Sequence, residues 1–273
     1  MEILFALAIL LYMLSAAGYF LFLVFQKTFL HKTGLILTGA GFVCHTTTIG
    51  YAFVSLGYLP VNSLYETLSI ACWAVACVFL LFQYRFKLNI LGVYATPLIS
   101  IILLFAYQLP RHLTGDQKLF KSVWLVSHIV TIFLGDASLA LACGVGILYL
   151  LQENAIKTKY RGFFFKRLPS LDLLDTTGHA AVVFGFTMLT IGLITGIVYA
   201  KSVWSHFWSW DPKEVWAAIT WIYYAILLHE RLAVGFRGRK AAIMAIIGFG
   251  VLTFTFIGVN FLMEGHHGRF TKV

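Results

Sequence analysis

The residues best suited to chemistry lie in one stretch, Val203-Trp204-Ser205-His206-Phe207-Trp208-Ser209-Trp210-Asp211-Pro212-Lys213-Glu214-Val215-Trp216. Five of the seven tryptophans fall between residues 204 and 221. Tryptophan commonly anchors membrane interfaces. An anchor belt needs only one or two per helix end, however, and here four fall within thirteen residues. Such a set makes a flat apolar surface suited to a large planar ligand. The residues that follow spell a helix start, with Asp211 as N-cap, Pro212 as first helical residue and Glu214 as the returning carboxylate of a capping box. That start turns backbone N–H groups and a positive dipole end toward the aromatic surface. Ligand carboxylates are favoured there, and Lys213 adds a cation. Trp204, Trp208, Trp210, Asp211, Lys213 and Trp216 are therefore the candidate platform for an anionic, aromatic ligand.

Nine histidines accompany this loop, and an intramembrane histidine is a functional candidate by default. Neutral imidazole is an axial ligand of haem iron. His128, near the outer end of a fifth apolar run, and His267, after the eighth, share a side with the tryptophan loop and could flank one planar ligand. His45 and His229 form a second candidate pair. Their depths agree less well: at 1.5 Å per residue His45 stands about 17 Å from the inner end of its run, while His229 is one turn from the boundary at Arg231. His31 and His112 read as solvated loop residues, His179 as interfacial, and His206 as a possible ligand contact; His266 adjoins His267. Asp136, inside the fifth run, is expected to make a structural hydrogen bond within the bundle.

The elements that must position these residues are membrane helices. Of 273 residues, 60% are hydrophobic and 11% charged, too few charges to cover a soluble surface. Eight apolar runs are long enough to span a bilayer, at about 3–26, 34–59, 65–84, 89–108, 124–151, 177–200, 213–232 and 241–263. They predict an all-α polytopic bundle forming a single domain over residues 1–273, with no soluble domain. The first run lacks a basic leader and a cleavage site, so it reads as a retained helix. Thirteen of the 20 Lys and Arg follow the odd-numbered runs, against seven on the opposite face. The positive-inside rule then puts both termini and residues 201–212 outside. The same scatter of basic residues argues against nucleic acid despite the net charge of +9. Cys44, Cys72, Cys77 and Cys143 form no C-x-x-C and read as buried thiols.

At these residues a family resemblance emerges. Trp204 to Glu214, with Trp216, Thr220-Trp221 and Leu228-His229-Glu230-Arg231, resembles the "WWD" signature of haem-handling proteins in the CcsA/ResC branch of system II cytochrome c biogenesis. His45 followed by Gly57, Pro60, Asn62, Tyr65 and Glu66 is similar to a second family element. His128, and Gly258-Val259-Asn260 ahead of Gly265 and His267, resemble two more. The likeness runs from about residue 34 to 268, with Ser205 standing where the family usually has glycine. The resemblance implies that His45 and His229 ligate haem b within the membrane and that His128 and His267 ligate it at the outer face.

It also implies the membrane subunit of a cytochrome c synthase that carries haem outward for thioether attachment to a C-x-x-C-H apocytochrome c. Lacking its own C-x-x-C and an outer domain, such a chain needs a CcsB/ResB-type membrane partner and a thioredoxin-like reductant. The implied location is the bacterial plasma membrane with the tryptophan loop periplasmic, or the thylakoid membrane in a plastid. A dihaem b-type electron carrier is the alternative, but it would usually repeat its ligands on the same two helices, whereas these four sit on separate segments. A solute transporter or channel would account for the spans but not for the tryptophan cluster.

Overall fold

The computed structural model describes residues 2–110, 121–159, 162–163 and 165–259. These form eight α-helices and, among the described residues, no strand: α1 (Glu2–Phe25), α2 (Thr28–Leu56), α3 (Leu64–Phe86), α4 (Gly92–Tyr107), α5 (Val123–Lys157), α6 (Leu171–Trp204), α7 (Pro212–His229) and α8 (Arg239–Thr253). Six of them are long and apolar enough to cross a membrane: α1, α3, α5 and α6 on their own, and α4 and α8 together with their adjoining short turns. The chain is a polytopic helical membrane protein. Of the two helices below that mark, α2 carries His31, Lys32, His45 and six threonines, and the 18-residue α7 opens on Lys213-Glu214.

Neighbouring helices run antiparallel, α1–α4 packing together and α5–α8 packing together, with α3 against α5 joining the two sets. Small residues let the backbones approach, as in other helix pairs in lipid. On α1 and α2, Gly18 faces Gly34, and Ser15 Oγ donates to the Gly34 carbonyl at 2.8 Å. On α5 and α6, a Cβ at Gly135 would stand 3.1 Å from the Gly185 carbonyl, and Ser138 Oγ donates to Ala181 O at 2.8 Å. At the end of this set remote from the tryptophan loop, Arg231 makes a two-pronged ion pair with Asp175 at 2.6 and 3.0 Å. Gly238 N–H donates to the same carboxylate. That joins α6 to the π-helical turn Glu230–Val234 and to the start of α8.

One expectation about the fold is corrected. The chain turns within Gln26-Lys27, so α2 begins at Thr28 and not near 34. His31 is thus helical and buried, not solvated: it packs on Tyr19 and Phe22, with its Nε2 3.2 Å from Gln83 Nε2. His112 lies outside the described residues.

Candidate functional site

A cavity of about 300 Å³ opens among α5, α6, α7, α8 and the tryptophan loop, within the usual size range of small-molecule sites. Its wall on α5 follows helical spacing through Leu125, His128, Ile132 and Asp136. Leu189, Leu193, Leu252 and Phe256 add apolar wall. His128 is fixed by α6: its Nδ1 lies 2.7 Å from the Gly192 carbonyl. A carbonyl only accepts, so the neutral ring carries its proton on Nδ1 and its lone pair on Nε2. This is the arrangement that orients metal-binding histidines. The ring can sit so close to α6 because residue 196 is glycine; a Cβ there would stand 2.7 Å from Nδ1.

The loop sorts its own residues. Trp204 ends α6 and Ser205 follows in the left-handed region (φ 61°), its carbonyl accepting from Lys201 Nζ. Glycine is the residue that takes this conformation without cost, which accounts physically for the family's usual choice. Ser209 donates through both N–H and Oγ to Glu214, at 2.8 and 3.0 Å. Asp211 caps α7 by accepting from Lys213 N–H at 2.9 Å. The N-cap is therefore as expected, but the returning carboxylate reaches Ser209 instead of the N-cap residue. Between these two anchors Trp210 is held at φ 59° and projects outward, 78% exposed. Its ring meets Trp208 edge-on at 5.9 Å.

Trp204, Trp208 and Lys213 line the cavity together with His128. Trp210 and Trp216 do not; Trp216 packs on Phe254 at 4.5 Å. Sequence reasoning missed Trp221, which lines the cavity, donates to Thr190 Oγ1 at 2.9 Å and stacks on Phe186. It also misjudged Asp136. Among the described residues nothing donates a hydrogen bond to that carboxylate, which faces the cavity because it shares a helical stripe with His128.

The structure does not bring His45 and His229 together. His45 is fully buried, its Nε2 2.8 Å from Ser69 Oγ and its ring edge-on to Phe5 and Tyr12. Its Nδ1 is buried with no hydrogen-bond partner. His229 ends α7 on an exposed face, just before the π-helical turn. Ser69 stands about 8 Å from the loop-side start of its helix and His229 about 26 Å from the start of its own, so the disparity in depth persists. His179 lines a small cavity beside Asp175 and Arg231, its Nδ1 buried without a partner. His206 is exposed in the loop. His266 and His267 lie outside the described residues.

Known proteins give this geometry its context. The profile of the cytochrome c assembly protein family matches residues 61–267. The cytochrome c biogenesis protein CcsA of Guillardia theta is 32% identical, the match covering 93% of this chain and 91% of that protein. The protein of that name in Chlorella vulgaris is 32% identical over 86% of this chain and 85% of its own length. That of Prochlorococcus marinus strain MIT 9301 is 35% identical over 77% and 76%. With the tryptophan loop folded over a histidine-bearing cavity, and with a match across three quarters of its length, the chain belongs to the cytochrome c assembly protein family, among the CcsA proteins.

Proposed function

We propose that this chain is the membrane subunit of a cytochrome c synthase, which brings haem b to the outer face and presents it to apocytochrome c. The observation that carries the reading is His128, with its proton directed to Gly192 and its lone pair on Nε2, in a cavity shared with Trp204 and Trp208. An apolar slot with aromatic rings at one end, one oriented imidazole and one lysine suits a flat, carboxylate-bearing metalloporphyrin. Haem is the substrate here, and His267 is the second ligand that the family resemblance supplies. The cysteine thiols of a C-x-x-C-H segment add across the vinyl groups: each sulfur bonds one vinyl carbon and the thiol proton goes to the other. The chain's part is to bind, orient and shield the porphyrin. Reduction of the thiols and docking of the apocytochrome fall to the CcsB/ResB-type membrane protein and the thioredoxin-like reductant.

An inner haem between His45 and His229 asks more of the fold. His45 would have to leave Ser69 and its aromatic seal, and the two helices would have to bring their histidines to one depth.

The test is the haem spectrum of the protein purified in detergent, with and without His128→Ala, and its ability to support cytochrome c assembly. The variant should insert normally, lose the low-spin outer haem signal and fail in assembly, with partial recovery in added imidazole. A wild-type protein that never binds haem, or a His128→Ala variant that assembles cytochrome c normally, would overturn the reading. If only His266→Ala fails among the terminal histidines, the second ligand moves by one residue.

A further inference from the structure

Resting on the reading of this cavity as the haem site, we propose that Asp136 is its charge-compensating group. It takes up a proton when the iron goes from Fe(III) to Fe(II), gives it up on oxidation, and so sets the reduction potential of haem held on His128.

The first observation is position. Asp136 lies two helical turns inward from His128 on the same face of α5, about 12 Å along the axis, and both line the cavity. Just beyond Asp136 the space closes. Leu139 fills the notch at Gly185, where a Cβ would stand 2.7 Å from it. Tyr224, one turn past the cavity-lining Thr220, fills the notch at Gly248, where a Cβ would stand 2.8 Å from its Cζ. Both side chains are 0% exposed. The carboxylate thus stands on the floor of the cavity.

The second observation is that the donors nearby are turned away from it. Thr67, Thr220 and Thr255 all line the cavity. Thr67 donates to the Ser63 carbonyl. The hydroxyls of Thr220 and Thr255 bond each other and the carbonyls of Trp216 and Val251 at 2.9 to 3.0 Å. Trp221 gives its indole N–H to Thr190. Among the described residues nothing donates a hydrogen bond to Asp136. A carboxylate kept ionised for structure has donors against it; one without them keeps its charge free to change. An uncompensated charge is costly in so apolar a space. The Fe(III)–porphyrin core carries one positive charge and the Fe(II) core none, so ionised Asp136 balances the first and protonated Asp136 the second. One electron passes from a low-potential one-electron donor to the iron, and one proton from water at the mouth to the carboxylate.

The third observation concerns the other charges. The titratable groups sharing the cavity are His128 on α5, Tyr199 on α6, and Lys213 and Glu214 on α7, with Tyr224 below them; the rest of the lining adds none among the described residues. Lys213 acts on Asp211 as well as on Asp136. Wherever its ammonium points, it biases the carboxylate alike in both iron states.

The test is a spectroelectrochemical titration of the haem-loaded full chain in detergent across a series of pH values. At about 12 Å and an effective dielectric of about 20, one charge shifts the iron equilibrium about tenfold, or about 59 mV for one electron. The wild-type potential should fall as pH rises, because the carboxylate loses its proton and Fe(III) gains its counter-charge. Asp136→Asn should flatten that fall and stand above wild type at the alkaline end by about the same tenfold shift. Asp136→Glu should restore the fall. All three proteins should hold haem in the same amount with the same low-spin spectrum. A wild-type potential that does not change with pH, or an Asp136→Asn variant with the wild-type profile, would overturn the inference. So would an Asp136→Asn variant that no longer holds haem, since that marks a structural role. Failure of the wild-type protein to bind haem would instead count against the proposed function.

Discussion

Gly196→Ala isolates the seat of His128 from everything else in the site. A Cβ at 196 would stand 2.7 Å from Nδ1 and 2.8 Å from Cε1 of the imidazole, whereas ordinary contact begins at 3.4 Å. The ring must therefore withdraw by about 0.7 Å, and the obstacle sits on helix backbone that cannot easily yield. Withdrawal breaks the Nδ1–H bond to Gly192, worth about 1 kcal/mol, and twists the side chain off its rotamer for about another 1 kcal/mol. Haem affinity at the outer site should fall roughly 30-fold for a combined loss of about 2 kcal/mol. Alanine favours helix over glycine by about 1 kcal/mol, so insertion and thermal stability should hold and the loss belongs to the histidine. Gly250→Ala is the control, since nothing lies within 4 Å of a Cβ there. Spectroscopic haem titration of the two variants against wild type gives the answer. Wild-type affinity and spin state in Gly196→Ala would refute the claim that this contact orients His128.

Other perturbations reach separate parts of the argument. Ser205 sits at φ 61°, so Ser205→Gly should raise thermal stability by about 0.5–1 kcal/mol and leave haem affinity alone; a drop in stability would mean the serine side chain contributes more than its backbone costs. Trp208 lines the cavity and Trp210 does not, so Trp208→Ala should weaken haem binding about tenfold and Trp210→Ala less than about threefold, the reverse order counting against the cavity as the haem site. Asp175→Asn leaves Arg231 facing a neutral partner and should cost about 2 kcal/mol, discounted for partial exposure, read as a lower melting temperature with faster proteolysis at residues 230–238. Cysteines placed at Ser205 and Ser209, in a protein without its four native cysteines, should react with an impermeant maleimide from the outside; labelling only in inverted vesicles would reverse the orientation.

Much of the site was legible in the chain because its signals are local. Apolar runs foretell membrane helices, Asp-Pro-x-Glu foretells the start of α7, and crowded tryptophans foretell an aromatic surface; the described residues contain all three. What escaped depends on contacts distant in sequence or on single backbone angles. His128 owes its tautomer to a carbonyl 64 residues away. Trp208 and Trp210 part company because residue 210 takes a positive φ, held by Glu214 and Asp211. Trp216 packs on Phe254 just past α8 and Trp221 lines the cavity, a distinction set by how α7 is rotated against its neighbours. Asp136 could have been placed: its spacing from His128 and Ile132 puts all three on one helical face, and the cavity adjoining one adjoins the others.

The two helices least suited to lipid on their own, α2 and α7, are the ones that carry the candidate ligands His45 and His229, together with Lys213. Polar residues in a bilayer are costly unless the protein encloses or partners them, and the surrounding helices do this differently at the two sites. Around His45 the enclosure is complete: α1 supplies Phe5 and Tyr12, α3 supplies Ser69, and the imidazole is 0% exposed. Around α7 the enclosure is hollow: α5 closes tightly on α6 at Gly135 and Gly185 and on α8 at Gly146, while α7 meets the π-helical turn after α8 through Thr220–Thr255 and Trp216–Phe254. The void left between α7 and that close-packed set is the cavity itself. A ligand can therefore enter beside α7 without parting the backbone contacts that α5 makes with α6 and α8. His45 has no such seam beside it, so ligation there must begin by parting α2 from α1 or α3.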